Sequence, residues 1–238
     1  MLSVLPVAIL AGGLATRLQP LTERCPKSLL PVAGRPFIFH QLELLRSQGV
    51  ERVVLCVAHL GEQIRAAVGS GPSHGLEVSY SYDGRELLGT GGALKHALPL
   101  LGEEFFVLNG DSYLRCPLER IQSAYRAARR PALMSVLRND NQWDRSNVVF
   151  RDGALLVYDK RAPRPDMSHI DFGLSVLSRA VFAQYPERTF LDLADILRDL
   201  SLRGQLAGFE VAERFYEIGS PQGLLDTETF LSHRLHDA

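Results

Sequence analysis

The strongest constraint on the fold is a change of hydrophobic period that repeats along the first half of the chain. Val7-Ala8-Ile9-Leu10 is a short unbroken apolar run, the pattern of a strand covered on both faces. Pro36 then opens a segment that carries Ile38, Leu42 and Leu45 on one face and meets Gly49 at its end, as expected of a helix with proline at its start and glycine just past its close. The β-branched run VERVVLCVAH follows, completing a βαβ unit. The cycle continues with a helix around GEQIRAAVG, the strand EVSYSY, and a helix after Thr90 that ends before Pro99. Next come the strand EFFVLNGD, a helix begun by Pro117 with Leu118, Ile121 and Tyr125 inward, and the strand ALMSVLRN. Strands separated by helices predict a mostly parallel sheet flanked by helices.

The second half is less regular. Asp152-Gly153 lies between the apolar runs of residues 147–158, a hairpin signal. The proline-punctuated loop KRAPRP, a strand at HIDFGLSVL and a helix over TFLDLADILRDLSLRG follow, then short strands at LAGFEV and RFYEI. Ser220-Pro221 starts a last helix, to about Leu235. A chain of 238 residues that is 46% hydrophobic can bury a full core. One α/β domain over residues 1–238 is expected, a Rossmann-like sheet with a smaller β-rich lobe.

Charge removes several function classes. With 26 basic and 27 acidic side chains there is no broad field to gather nucleic acid or an anionic membrane, so any anion must be held locally. Cys25, Cys56 and Cys116 form no CxxC pair, which argues against a disulfide framework or a zinc knuckle and for a reducing cytoplasm. The opening LSVLPVAILA lacks a basic leader and runs into Gly12-Gly13 and Arg17, so it reads as a buried strand and not a signal peptide. No other segment approaches the ~20 apolar residues of a membrane span. A soluble cytoplasmic protein is expected.

The stretch AGGLATRLQPLTERCPKSLLPV, residues 11–32, leaves the first strand at its carboxyl end, where open α/β sheets collect ligands. Glycines there let backbone N–H groups approach an anion, while Arg17 offers a planar fork and Lys27 a point charge. The combination suits a polyphosphate. The spacing is wrong for the P-loop GxxxxGK[ST], and the later GTGGAL has Leu94 where GxGxxG needs its last glycine. Lys27 is followed by SLL, which does not fit a nucleotidyl-lysine motif.

Ala11-Gly12-Gly13-Leu14-Ala15-Thr16-Arg17-Leu18 through Pro26-Lys27-Ser28-Leu29-Leu30-Pro31-Val32 resembles the signature of the sugar-1-phosphate nucleotidyltransferases. Leu88-Gly89-Thr90-Gly91-Gly92-Ala93-Leu94 looks like the family's base-contacting segment, Asn109-Gly110-Asp111 like its metal-aspartate strand end, and Glu217-Ile218-Gly219-Ser220-Pro221 like its second metal motif. The four occur in the family's order over nearly the whole chain.

The resemblance implies a GT-A-like fold and transfer of a nucleotidyl group from an NTP to a sugar-1-phosphate, with release of pyrophosphate. GTP with mannose- or heptose-1-phosphate is the nearest likeness, and uridylyl transfer is the alternative. It assigns residues 1–115 to nucleotide and residues 116–238 to sugar and second metal contact. Arg17, Lys27 and Asp111 become the catalytic group; Leu10, Ala11, Gly12, Gly13, Asp83, Gly89, Thr90 and Gly91 contact the nucleotide. Asn109, Gly110, Asn147, Asp159, Lys160 and Asp171 hold the sugar phosphate, Asp111 and Glu217 hold Mg²⁺, and a homodimer is possible. A non-catalytic sugar-nucleotide-binding regulator is the rival from another class, opposed by the intact Arg17, Lys27 and Asp111. Three positions depart from the family pattern. Ala15 replaces a common glycine, so the loop is expected to turn without positive φ there or to shift its phosphate contact. Glu217 replaces the usual aspartate, and Asp171 a frequent asparagine.

Overall fold

The computed structural model describes residues 3–69, 71–84 and 86–236. Its first half contains β1 (Val7–Leu10), β2 (Pro31–Val32), β3 (Arg35–Pro36), α1 (Phe37–Ser47), β4 (Arg52–Val57) and α2 (Gly61–Val68). Then follow β5 (Gly71–Ser73), β6 (Leu76–Tyr82), α3 (Gly89–Leu101), β7 (Glu104–Asn109) and β8 (Ser112–Tyr113). The second half adds α4 (Leu118–Ala128), β9 (Ala132–Arg138), β10 (Val148–Arg151), β11 (Ala154–Tyr158) and β12 (His169–Ser178). It ends with α5 (Leu193–Leu202), β13 (Leu206–Val211), β14 (Tyr216–Glu217) and α6 (Pro221–His236).

β1 is the axis of the main sheet. It pairs in parallel with β4 on one edge and β7 on the other, Val7 lying beside both Val53 and Phe106. β6 continues the parallel run beyond β4. The chain therefore winds outward from β1 and returns to its other side, which makes the carboxyl end of β1 a topological switch point. Neighbouring residues of β1 face opposite layers, both closed: Val7 and Ile9 pack with α1, α2 and α4 residues such as Leu42, Ile64 and Ile121, and Ala8 packs with Leu94, Ala97 and Leu197 of α3 and α5. Burial on both faces explains why VAIL reads as a continuous apolar run.

Beyond β7 the sheet turns mixed. β12 runs antiparallel to β7 and to β9, and β13 is parallel to β9. β7 leaves β12 at the Leu108–Leu174 pair, and on that same edge the β10–β11 hairpin joins at Val148–His169. A gap opens between them along residues 170–173, spanned by a bulge at Gly173, whose φ is +89°. The β-rich second part thus grows from the common sheet, and this gap brings its residues alongside the end of β7.

Two element boundaries differ from expectation. Pro99 lies inside α3 and does not end it; Ala97 and Leu101 on either side are fully buried, and that packing outweighs the ~3 kcal/mol penalty of an interior proline. The helix expected from Thr189 begins only at Leu193, capped by Asp192, whose side chain accepts from Ala194 N. Residue 191 is instead fastened outside the helix to the start of α3, as Leu191 N donates to Leu88 O at 2.8 Å and Leu191 O accepts from Gly91 N at 2.8 Å.

Candidate active site

The carboxyl end of β1 is fastened on both sides: Ala11 N donates to Cys56 O at 2.9 Å and Gly110 N to Leu10 O at 3.0 Å. Between these anchors lies a cavity of about 360 Å³ lined by Leu10, Ala11, Gly12, Gly13, Asp83, Gly89 and Thr90, with Lys27, Asn109, Gly110 and Asp111 at its inner end. The loop of residues 11–32 and the start of α3 therefore face each other across one hollow. Ala15 takes the left-handed conformation, φ +50°, correcting the expectation that the loop would turn without it. The cost of about 1–2 kcal/mol is offset by two bonds to Ala15 O, from Thr22 Oγ1 at 2.8 Å and Leu18 N at 3.1 Å.

Asp83 sits buried where β6 ends. Its Oδ2 accepts from Leu88 N at 3.0 Å, and burial pushes its carboxyl pKa above the ordinary aspartate value. Gly91 faces the neighbouring helix. A Cβ on it would lie 2.8 Å from Ile196 Cδ1 and 3.2 Å from Leu191 O, so its bare surface faces α5 and the 191 segment, and it is not among the residues lining the cavity.

Four charged groups converge at the inner end. Lys27 Nζ lies 2.7 Å from Asp111 Oδ2, both partly exposed. Asp111 follows β7, and Ile218 N donates to its carbonyl at 2.9 Å. Pairing of β14 with β8, Glu217 beside Ser112, brings in the second carboxylate from the far end of the chain. Glu217 curls back to accept from Gly219 N and Ser220 Oγ, so its added methylene is spent on the entry to α6. Gly219 is the centre of the group: a Cβ there would lie 2.8 Å from Glu217 Oε2, 2.9 Å from Asp111 Oδ2 and 3.3 Å from Arg17 Nη2. Arg17 itself is exposed and makes no ion pair among the described residues.

That glycine leaves a space between two carboxylates that a methyl would fill. Two hard oxygen donors, with no cluster of three His, Cys, Asp or Glu among the described residues, fit a cation that keeps several waters and shares a substrate phosphate, as Mg²⁺ does.

The second group of predicted residues lies along the gap in β12. Asn147 Oδ1 accepts from Asp171 N at 2.9 Å; Asp171 Oδ1 accepts from Gly173 N at 2.9 Å, with the Tyr158 hydroxyl 3.5 Å from Oδ2. Burial raises the Asp171 pKa, and the nearby Lys160 charge opposes the rise. Gly173 faces the Asn109 amide, which a Cβ would approach to 3.1 Å. Asp159 is tied to its own surroundings. Its Oδ2 pairs with Arg198 Nε at 2.6 Å, and its Oδ1 accepts from Arg161 N and Ala162 N, both at 2.9 Å. The Arg198 bond holds its pKa below the usual range, and its acceptors anchor the loop that follows. Lys160 beside it is exposed.

Sequence reasoning missed several wall residues. Ser28 is 3% exposed and lines the cavity, its hydroxyl without a hydrogen-bond partner among the described residues; its place after Lys27 was the available signal. Cys56, Leu87 and Phe190 also line it. Cys56 is inert, burial pushing its thiol pKa up to about 12. Gln41 supports the aspartate loop from below, Nε2 donating to Asn109 O at 3.0 Å and Ser112 O at 2.8 Å.

A glycine-lined cavity at the sheet's switch point, with two cations and two carboxylates at its inner end, defines a protein of the phosphate-handling α/β class. The family model described as Nucleotidyl transferase matches residues 7–146, and the chain belongs to that family, among the sugar-1-phosphate nucleotidyltransferases. It is 28% identical over 218 residues to the D-glycero-alpha-D-manno-heptose 1-phosphate guanylyltransferase of Campylobacter jejuni, covering 90% of this chain and 94% of that protein. It is 44% identical over 104 residues to the N-acetylmuramate alpha-1-phosphate uridylyltransferase of Neisseria meningitidis, covering 43% of this chain and 45% of that one. Among solved structures, HddC from Yersinia pseudotuberculosis complexed with GMP-PN superposes with a TM-score of 0.76 at 26% identity, over 95% of this chain and 99% of that one.

Proposed function

We propose that this chain transfers GMP from GTP to a heptose- or mannose-1-phosphate, giving a GDP-sugar and pyrophosphate, with Mg²⁺ held by Asp111 and Glu217. The observation that carries the reading is the convergence of Arg17, Asp111 and Glu217 on Gly219, with Lys27 paired to Asp111, at the inner end of a nucleotide-sized cavity. A sugar-phosphate oxygen attacks the α-phosphorus in line and the bond to the β-phosphate oxygen breaks, so the barrier is lowered by positioning and charge and needs no nucleophilic side chain. The bound cation would supply positive charge to the phosphate oxygens. Lys27 shifts from Asp111 to the phosphates around the reacting centre, and Arg17 receives the departing pyrophosphate. Lys160 grips the sugar phosphate, while Asn147 and Asp171 meet the sugar. At the base end Asp83 offers a carboxylate acceptor to the adjacent N–H groups of guanine.

The test measures pyrophosphate release over a panel of NTPs and sugar-1-phosphates, with and without Mg²⁺. GTP with heptose- or mannose-1-phosphate is expected to be fastest. No release with any pair, alongside retained GDP-sugar binding, overturns the proposal. Uridylyl transfer is the second reading, favoured by the higher identity of the 104-residue uridylyltransferase match, and UTP is its arm of the panel.

A further inference from the structure

We infer that Phe190 is the stacking wall of the nucleobase pocket, a planar surface that the segment 188–192 holds ready over the start of α3. The inference deepens the nucleotidyl-transfer reading and rests on it. Phe190 lines the cavity together with Leu87, Gly89, Thr90 and Asp83. It is 68% exposed, more than any other exposed large apolar residue among those described. Scattered exposed apolar residues are ordinary on protein surfaces, so exposure alone decides nothing. What distinguishes Phe190 is its fixed mounting.

The backbone on its C-terminal side is tied at every step. Leu191 N donates to Leu88 O at 2.8 Å, and Leu191 O accepts from Gly91 N at 2.8 Å and Gly92 N at 3.3 Å. Leu193 N donates to Thr90 Oγ1 at 2.8 Å, and Thr90 Oγ1 lies 3.2 Å from Asp192 Oδ1. On the other side Arg188 Nη2 reaches Asp83 O at 3.4 Å. The two neighbouring side chains face different ways: Leu191 packs against the core residues of α3 and α5, and Phe190 is turned out to the cavity. Gly89 brings the two segments together, since a Cβ on it would meet Phe190 Cε2 at 3.1 Å and Leu191 O at 2.5 Å. The ring thus stands against bare backbone, with its other side open.

An aromatic face fixed beside a carboxylate at the end of a cavity suits a flat heterocycle. The face gains from stacking with any base, and the carboxylate selects by hydrogen bonding at the edge. A purine, with two fused rings, covers more of the phenyl surface than a pyrimidine. Phe190 is therefore assigned to NTP binding with a purine bias, and not to phosphate or sugar contact.

The test compares wild type, Phe190→Ala and Phe190→Trp in steady-state pyrophosphate release with GTP and UTP, with tripolyphosphate as a base-free competitive inhibitor. Phe190→Ala is expected to raise the KM for GTP on the order of 10-fold. The rise for UTP is smaller, kcat and the sugar-phosphate KM stay within about twofold, tripolyphosphate inhibition is unchanged, and Phe190→Trp restores the GTP KM. An unchanged GTP KM in Phe190→Ala overturns the inference, as does an equal loss of tripolyphosphate affinity, which marks a collapsed segment. If wild type itself neither binds nor turns over any NTP, the transfer reading fails together with this one. If wild type transfers and Phe190→Ala matches it, only the stacking wall is lost.

Discussion

The two sides of the site are built on opposite plans. On the nucleotide side the walls are main chain, glycine and apolar surface, the Phe190 ring included, and two of the polar groups there stand idle among the described residues: Ser28 Oγ has no hydrogen-bond partner and Arg17 has no ion pair. On the sugar side the acceptors are already engaged. Asn147 holds Asp171 N, Asp171 holds Gly173 N, and Asp159 holds Arg198 and two turn amides. A prepared hollow can take its ligand with little rearrangement, whereas a self-paired network must exchange internal hydrogen bonds for new ones, each worth about 0.5–1.5 kcal/mol net. On the proposed assignment, the nucleotide side is thus fitted to hold a common reagent firmly, and the sugar side to discriminate.

The comparison breaks hardest where the two sides meet, at Asp111. Asp111→Asn keeps the shape but removes the charge opposite Glu217. A fall in kcat of roughly 10²–10³ is expected, with the melting temperature nearly unchanged because the Lys27 pair is partly exposed and such pairs contribute about 0–1 kcal/mol. Pyrophosphate release and thermal denaturation on one preparation check this. Activity within a few-fold of wild type removes Asp111 from the reacting centre.

The next largest effect separates wall from ligand contact. Gly89 has φ +71°, and a methyl on it would approach Leu191 O to 2.5 Å. Gly89→Ala is expected to destabilise by about 2–4 kcal/mol, from left-handed backbone strain and overpacking together. Urea denaturation reads this directly. A glycine kept only for the nucleotide would instead leave the midpoint alone and raise the GTP KM.

Gly89 also shows where sequence reading runs out. The strands and their order of alternation were legible because burial on both faces leaves unbroken apolar runs, as in Val7–Leu10. The loop of residues 11–32 was legible as a wall of the site because its glycines and Lys27 lie within one short stretch at the end of β1. What a glycine's bare side meets was not: Leu88–Gly92 packs against residues 189–191, and nothing in either segment announces the other. The ion pair of Asp159 was hidden for the same reason, since Arg198 reaches it from a different element, and the helix ran past Pro99 because buried neighbours overrule local propensity. Glu217 was found through its motif, but its placement beside Asp111 depends on the β8–β14 pairing, which two-residue strands scarcely encode.

Gly219 sharpens the comparison at the cation. Gly219→Ala inserts a methyl between Asp111 and Glu217, away from the Gly12–Gly13 and Gly89–Thr90 walls, and the Mg²⁺ needed for half-maximal activity is expected to rise on the order of 10-fold. A magnesium titration at saturating GTP measures it. Equal magnesium dependence in variant and wild type shows that the two carboxylates do not share the ion.

The smallest effect belongs to the self-paired sugar side, in Asp171→Asn. Burial raises the carboxyl pKa of Asp171 in the folded protein above the unfolded value of about 3.9. The folded state therefore binds the proton more tightly than the unfolded chain, and stability is fully present below about pH 3.9 and declines as pH rises through the folded value. Asparagine keeps an oxygen for Gly173 N and carries no charge to bury. Its variant is expected to melt slightly higher than wild type at pH 7, with the difference closing as pH is lowered toward 4. Sugar choice should change with it, because an acceptor pair becomes an amide with one donor group and one acceptor, while the GTP KM stays put. Melting curves from pH 4 to 8, paired with the sugar-1-phosphate panel, read both consequences. A GTP KM that moves as much as the sugar-phosphate KM would show the two sides to be one network and erase the distinction between them.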